Sequence, residues 1–181
     1  MKPNLQRKRT VTMKKWYKVE VFATFNKVTF YTIRDENKEL SETDRFLTKY
    51  SEKGIFKERL NKLVAFIEAM GDEYGARQLF FRHEAAADAL PPPYSTIKQF
   101  GLLEFIEYDL RLYCCRLSDS VVVLYGGGQK TTAKAQDCPN VSSHFRLASV
   151  ATTALNEKIR EKSFVLTFKQ LEFKDEAEIE L

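Results

Sequence analysis

The side chains most often used for catalysis and metal binding are scarce in this chain, and their spacing excludes several kinds of chemistry. The three cysteines are Cys114, Cys115 and Cys138, a pattern that is neither a zinc-binding spacing nor a disulfide framework. The two histidines, His83 and His144, have no second histidine or cysteine at ligand spacing. We therefore expect no metal and no cofactor, and a reducing compartment.

A short glycine-containing segment invites comparison with a phosphate-binding loop. Residues 128–131 read Gly-Gln-Lys-Thr, but a P-loop needs a glycine directly before the lysine and another at a fixed distance upstream, and neither is present. Nucleotide binding is therefore not indicated.

Length and composition predict a single folded domain. The chain has 181 residues, and its 44% hydrophobic content is enough to build a core. No apolar run has the length of a signal peptide or of a membrane-spanning helix. We expect a cytoplasmic, soluble protein without a membrane partner.

The formal net charge is +4, but the charge is concentrated at the two ends of the chain. Six basic residues and no acid precede Trp16, whereas five acids and one lysine occur from Leu171 onward. The remainder is close to neutral, so any nucleic-acid site must be a local patch. We predict a basic arm over 1–15, one domain over 16–170, and an acidic arm over 171–181 that frays.

The first half of the chain predicts strands followed by helices. Residues 16–34 are dense in β-branched and aromatic side chains, with an interruption at 26–27, which favours two strands joined by a tight turn. Ser41 and the acids after it are typical of a helix N-terminus. A second helix follows, because apolar residues recur at helical spacing over 60–70.

A third, alanine-rich helix is predicted over 77–90, and the prolines at 91–93 must end it. Beyond the prolines, three apolar or aromatic runs are separated by short polar connections, which predicts a three-strand antiparallel meander. The runs are 102–108, 111–117 and 121–125.

The last part of the domain predicts a loop, a helix and a strand. The glycines at 126–128 are expected to loosen the chain. Apolar residues at helical spacing over 142–162 predict a long helix, and alternation over 164–168 predicts a final strand.

Part of this succession resembles a known family. Leu-Glu-Phe-Ile-Glu-Tyr at 103–108, Leu-Arg-Leu-Tyr at 110–113 and Val-Val-Val-Leu at 121–124 are followed by Gln-Lys-Thr-Thr-Ala-Lys at 129–134. In this order, with a helix after them, the segments resemble the RelE/HigB toxin superfamily, and most nearly its phage-derived HigB-like branch. The resemblance covers roughly 97–162 and consists of degenerate strand patterns.

The resemblance implies an α+β, RelE-like fold with an antiparallel or mixed sheet, N-terminal strands, two or three helices, a three-strand meander and a C-terminal helix. It also implies a metal-independent endoribonuclease that acts on free or ribosome-bound mRNA and is paired with an antitoxin protein. In such a site, basic side chains bind phosphate oxygens and assist attack by a ribose 2′-hydroxyl. By position, the candidate catalytic residues are Arg111, Lys130 and Lys134.

Three more residues are candidates for RNA contacts. They are Arg116, Tyr113 and His144. Arg116 ends the same predicted strand as Arg111 but has the opposite parity, so the two arginines should point to opposite faces of the sheet unless a bulge intervenes.

A different class of function stays open beside this one. Arg111 could form a surface ion pair with Asp109, and Lys130 could belong to a solvated loop. Glu104 and Glu107 lie where many relatives carry basic residues, and two acids would repel a phosphate. The alternative is a catalytically inactive RelE-fold protein that serves as a protein-binding module.

Overall fold

The computed structural model of this protein describes residues 14–99 and 109–181. These residues form four α-helices and nine β-strands. The helices are α1 (Glu42–Ser51), α2 (Gly54–Ala69), α3 (Tyr94–Gln99) and α4 (Ser142–Arg160). The strands are β1 (Trp16–Thr24), β2 (Thr29–Asp35), β3 (Arg82–Glu84), β4 (Ala87–Leu90), β5 (Leu110–Arg116), β6 (Val121–Gln129), β7 (Phe164–Leu166), β8 (Leu171–Phe173) and β9 (Glu178–Glu180).

Seven of these strands form one mixed sheet. Their order is β3-β4-β5-β6-β2-β1-β9, and β7 and β8 form a separate hairpin. Strands β2 and β6 run parallel, whereas every other pair in the sheet is antiparallel. The predicted α+β class with a mixed sheet is therefore confirmed.

The sheet is covered on both faces, and the central strand β6 shows how. Val121, Val123 and Tyr125 pack toward α4, whereas Val122 and Leu124 pack toward α1 and α2. Successive side chains of a strand point to opposite faces, so a strand with two buried faces reads as an unbroken apolar run. All five residues are fully buried.

Several predicted elements are confirmed with small shifts in their bounds. Strands β1 and β2 form the N-terminal antiparallel hairpin. Ser41 caps α1, since its hydroxyl accepts a hydrogen bond from the Asp44 N–H at 3.1 Å. Helix α2 follows at once from Gly54, and α4 occupies most of the range predicted for the last helix.

The prediction of a helix over 77–90 is wrong. The segment contains a 3₁₀ turn at Gln78–Phe80 and the hairpin of β3 and β4. Ala85, in the turn of this hairpin, has φ of 56°, a left-handed conformation that glycine or asparagine usually supplies. The alanine-rich composition favours helix, but the alternating burial on β4 puts Ala87 and Ala89 into the core.

The meander is also built differently from the prediction. Residues 102–108, predicted as its first strand, lie outside the described residues. The strand that pairs with β5 on that side is β4, with Ala89 opposite Tyr113. The glycines at 126–128 do not form a loop: they lie within β6, buried and opposite β5.

The acidic C-terminal residues are ordered into strands, so the prediction that they fray is wrong. Strand β9 pairs with β1, and Ile179 is fully buried. At the other end of the chain, Lys14 forms an ion pair with Glu180 at 2.6 Å, and Lys15 with Asp35 at 2.7 Å. Most of the predicted basic arm, 1–13, lies outside the described residues.

Candidate functional site

A group of polar side chains surrounds two small residues on the α4-facing side of the sheet. Ala87 and Ala89 of β4 belong to the core cluster beneath α4. Glu84 is opposite Ala87 and Arg82 is opposite Ala89 on β3, while Tyr113 is opposite Ala89 on β5. Cross-strand partners lie on the same face of a sheet, so the longer side chains of β3 and β5 flank the alanines.

Arg82 is partly buried and its guanidinium is directed by two backbone carbonyls. It donates to the oxygen of Pro91 at 2.9 Å and to that of Pro92 at 3.0 Å. Burial, and then the positive charge of Arg111, lower the pKa of Arg82 from its ordinary value. Two guanidinium groups are therefore held near each other at a cost in electrostatic energy.

Arg111 lies two residues before Tyr113 on β5 and so shares its face. One guanidinium nitrogen donates to the carbonyl of Leu110 at 3.0 Å. Burial lowers the pKa of Arg111, and the nearby Glu84 carboxylate acts in the opposite direction. Glu84 is thus an acid that faces a pair of arginines.

Lys130 adds a third cation at the same place. Its ammonium nitrogen lies 3.8 Å from a carboxylate oxygen of Glu84, and the two side chains are only 17% and 15% exposed. We call the group of Arg82, Arg111, Lys130 and Glu84 the basic cluster. It contains three cations and one anion, and it is partly desolvated.

Asp109, which directly precedes β5, is already bound. Its carboxylate accepts from Arg59 at 2.5 Å and from the side-chain amide of Gln129 at 2.6 Å. Its carbonyl accepts from the Lys130 N–H at 2.6 Å. Asp109 thus ties α2 to the end of β6, and its negative charge also acts on the guanidinium of Arg111.

Tyr113 lies beneath the basic cluster. Its side chain is fully buried, and its ring packs edge-on against Phe145 of α4, with ring centroids 5.9 Å apart. Burial, and then the negative charge of Glu84, raise the pKa of Tyr113, so its hydroxyl stays protonated. Among the described residues this buried hydroxyl has no hydrogen bond of ordinary geometry. Tyr113 therefore lies in the core next to the basic cluster and is not part of the exposed surface.

Three of the six residues predicted from the sequence therefore come together: Arg111, Lys130 and Tyr113. Arg116 does not join them. Its guanidinium donates to the carbonyl of Ala76 at 2.6 Å and pairs with Asp119, on the side of the sheet that carries α1 and α2. The prediction that Arg111 and Arg116 point to opposite faces is confirmed.

His144 and Lys134 also lie apart from the basic cluster. His144, in the first turn of α4, lines a separate cavity of about 420 Å³ with Arg45 and Lys49 of α1. Burial, followed by the charges of those two residues, lowers the pKa of His144. Lys134 is exposed in the connection between β6 and α4.

Sequence reasoning missed Arg82 and Glu84. Both lie in the segment predicted as a helix, and in a helix two residues at this spacing do not share a face. Read as a hairpin, the alternation of Arg82 and Glu84 with His83 would have placed the first two on one face. The signal was hidden because the hairpin turn contains Ala85 and Ala86 instead of glycine or asparagine.

The comparisons with known proteins add no relative: no family model, no curated protein and no solved structure matches this chain. Over residues 14–99 and 109–181, no three His, Cys, Asp or Glu side chains are grouped in a way that could hold a metal ion. Each helix in these same ranges is too short or too polar to cross a bilayer.

Proposed function

We propose that this protein is a RelE/HigB-like toxin, a metal-independent endoribonuclease that cleaves mRNA at the basic cluster and is restrained by a protein antitoxin. The observation that carries the proposal is the grouping of three partly buried cations around the carboxylate of Glu84. Lys130 lies 3.8 Å from that carboxylate, and the charge of Glu84 also acts on Arg82 and Arg111.

The charge balance favours an anionic ligand. Like charges held together outside bulk water repel each other, and a phosphate placed between them would replace that repulsion with charge-assisted hydrogen bonds. A guanidinium presents parallel N–H donors that match two phosphate oxygens. Arg111 and Arg82 supply two such groups, and Lys130 supplies a point charge.

The same residues provide an acid and a base for transesterification. Glu84 accepts the proton of the ribose 2′-hydroxyl as that oxygen forms a bond with the adjacent phosphorus. The bond from phosphorus to the 5′-oxygen breaks, and Lys130 donates a proton to the departing oxygen. The products are a 2′,3′-cyclic phosphate and a 5′-hydroxyl, and Arg111 stabilises the charge that develops on the phosphate in between.

This chemistry selects RNA over DNA, because the nucleophile is the 2′-hydroxyl. It also explains why a protein partner is expected. A surface on which several cations are grouped is readily covered by an acidic segment, and occupation of the basic cluster by carboxylates would block access of phosphate.

The proposal is tested by binding of a fluorescently labelled single-stranded oligoribonucleotide at several salt concentrations. Arg111→Ala and Lys130→Ala should each weaken binding by about fivefold or more and flatten the salt dependence, with a slope lower by about 0.7 for each lost phosphate contact. Lys57→Ala, which removes an exposed lysine of α2, is the matched control and should leave both quantities unchanged.

Equal binding by all four proteins would contradict the proposal and favour the protein-binding module. Equal weakening by all three variants would also contradict it, since binding would then follow net charge and not the basic cluster.

A further inference from the structure

The loop that carries Lys130 is held on both sides by one thiol. The Cys138 Sγ donates to the Gln129 carbonyl oxygen at 3.6 Å and accepts from the Thr131 N–H at 3.4 Å. It also lies 3.6 Å from the Thr131 hydroxyl. Gln129 and Thr131 are the two neighbours of Lys130 in sequence.

The thiol itself is fixed by the start of α4. The Cys138 carbonyl accepts from the N–H of Val141 at 3.2 Å and from that of Ser142 at 2.9 Å. The Cys138 side chain is fully buried. Because α4 packs on the sheet through Phe145, these bonds tie the Cys138 backbone to the helix that covers the sheet.

Among residues 14–99 and 109–181, the other contacts that hold the backbone at Lys130 lie at Gln129 and at Lys130 itself. The Gln129 N–H donates to the Tyr50 hydroxyl at 3.0 Å, and the Lys130 N–H donates to the Asp109 carbonyl. Thr131 and the three residues after it are exposed. The hydrogen bonds between Thr131 and Cys138 therefore restrain the backbone directly after Lys130.

We propose that Cys138 is a positioning residue of the site, whose thiol fixes the backbone on both sides of Lys130 and thereby directs the ammonium group toward the phosphate that Arg82 and Arg111 bind. This inference rests on the proposed function, because it assigns to Cys138 a role in RNA binding that acts through Lys130. A lysine has high side-chain entropy, so a fixed backbone lowers the cost of placing its charge.

A double-mutant cycle distinguishes this role from a purely structural one. The affinity for the labelled oligoribonucleotide is measured at a pH below 7, where the Cys138 thiol is protonated and can donate, for the full chain and for Cys138→Ala, Lys130→Ala and the double variant. Cys138→Ala should weaken binding roughly fivefold when Lys130 is present, since it removes hydrogen bonds of ordinary strength. It should have no further effect when Lys130 is already alanine. Cys138→Ser keeps a donor and an acceptor and should recover most of the affinity.

One control variant tests whether the loss of any buried thiol weakens binding, and a second variant replaces Cys138→Ala if that protein does not fold. Cys115→Ala truncates another buried thiol on the same face of the sheet, distant in sequence from the loop, and should leave the affinity unchanged. If Cys138→Ala does not fold, Thr131→Val removes one of the thiol's partners from an exposed residue. That variant should weaken binding about twofold, again only when Lys130 is present.

Each outcome decides the question. Equal losses in both Lys130 backgrounds, or no loss in either, would overturn the positioning role and leave the proposed function standing. If Lys130→Ala itself has no effect on binding, the proposed function fails and the positioning role fails with it.

Discussion

The Lys130 ammonium lies 3.8 Å from the Glu84 carboxylate, across two strands that separate them in the sheet. Each side chain is less than a fifth exposed, and both Arg82 and Arg111 are near the same carboxylate. Glu84 therefore has two roles in this account: it neutralises part of the positive charge in the resting protein, and it removes a proton from the substrate.

These two roles of Glu84 predict opposite effects of one substitution. Glu84→Gln removes a negative charge from the basic cluster, so the labelled oligoribonucleotide should bind about threefold to tenfold more tightly at low salt. RNA cleavage should be lost, because an amide cannot accept the 2′-hydroxyl proton. Glu36→Gln, at an exposed position, is the control and should change neither quantity. Unchanged or weaker binding by Glu84→Gln would contradict the electrostatic description of the cluster.

Ala85 tests the hairpin that brings Arg82 and Glu84 into the site. Its φ of 56° strains an alanine, so Ala85→Gly should raise the free energy of unfolding by roughly 0.5–1 kcal/mol. Ala86→Gly, at the next position, should lower it by a similar amount, because only the unfolded chain gains freedom there. Thermal unfolding followed by circular dichroism measures both. A helix over this segment would make both substitutions destabilising.

Gly127 tests the contact between β5 and β6 beneath the cluster. A Cβ atom at this position would overlap the carbonyl oxygen of Arg111, which is backbone and cannot move aside. Gly127→Ala should therefore cost about 3 kcal/mol or more, and chemical denaturation should show it. At Gly54, a Cβ atom would meet open space, so Gly54→Ala should be neutral or slightly stabilising. Equal effects at both positions would contradict the described packing.

The Cys138 thiol predicts a pH dependence of stability. Although burial opposes its ionisation, hydrogen bonds from Thr131 and Asn140 lower the pKa of Cys138 from 9.0 to about 7. Between these values the unfolded chain binds more protons than the folded one, so the stabilisation is complete above the unfolded pKa and is lost as the pH falls through 7.

The measurement is the free energy of unfolding of the full chain minus that of Cys138→Ser, from about pH 6 to about pH 9. This difference should grow with rising pH, since other groups titrate alike in the two proteins. Burial raises the pKa of Cys115 to about 12, so Cys115→Ser should not show this rise. A difference for Cys138 that stays constant with pH would contradict the lowered pKa.

The elements with strong local signals were predictable from the sequence. The hairpin of β1 and β2 follows from its composition, and α1 follows from the Ser41 cap and the acids after it. The opposite orientation of Arg111 and Arg116 follows from strand parity alone. In each of these cases, neighbouring residues determine the conformation.

The rest depended on contacts between distant segments. An alanine-rich stretch has high helix propensity, yet Ala87 and Ala89 are buried in a strand that pairs with β3 on one side and with β5 on the other. The approach of Lys130 to Glu84 follows from strand order, which no local pattern specifies. Two of the four residues of the basic cluster, Arg111 and Lys130, were therefore predicted from the sequence. Arg82 and the carboxylate of Glu84 were not.

The most direct test is cleavage of RNA, with and without ribosomes and in the presence of EDTA, by the wild-type protein, by the Arg111→Ala/Lys130→Ala double variant and by Lys57→Ala. The account predicts chelator-resistant cleavage that leaves 2′,3′-cyclic phosphate ends, retained by Lys57→Ala and lost in the double variant. No cleavage by the wild-type protein under either condition, or undiminished cleavage by the double variant, would contradict it.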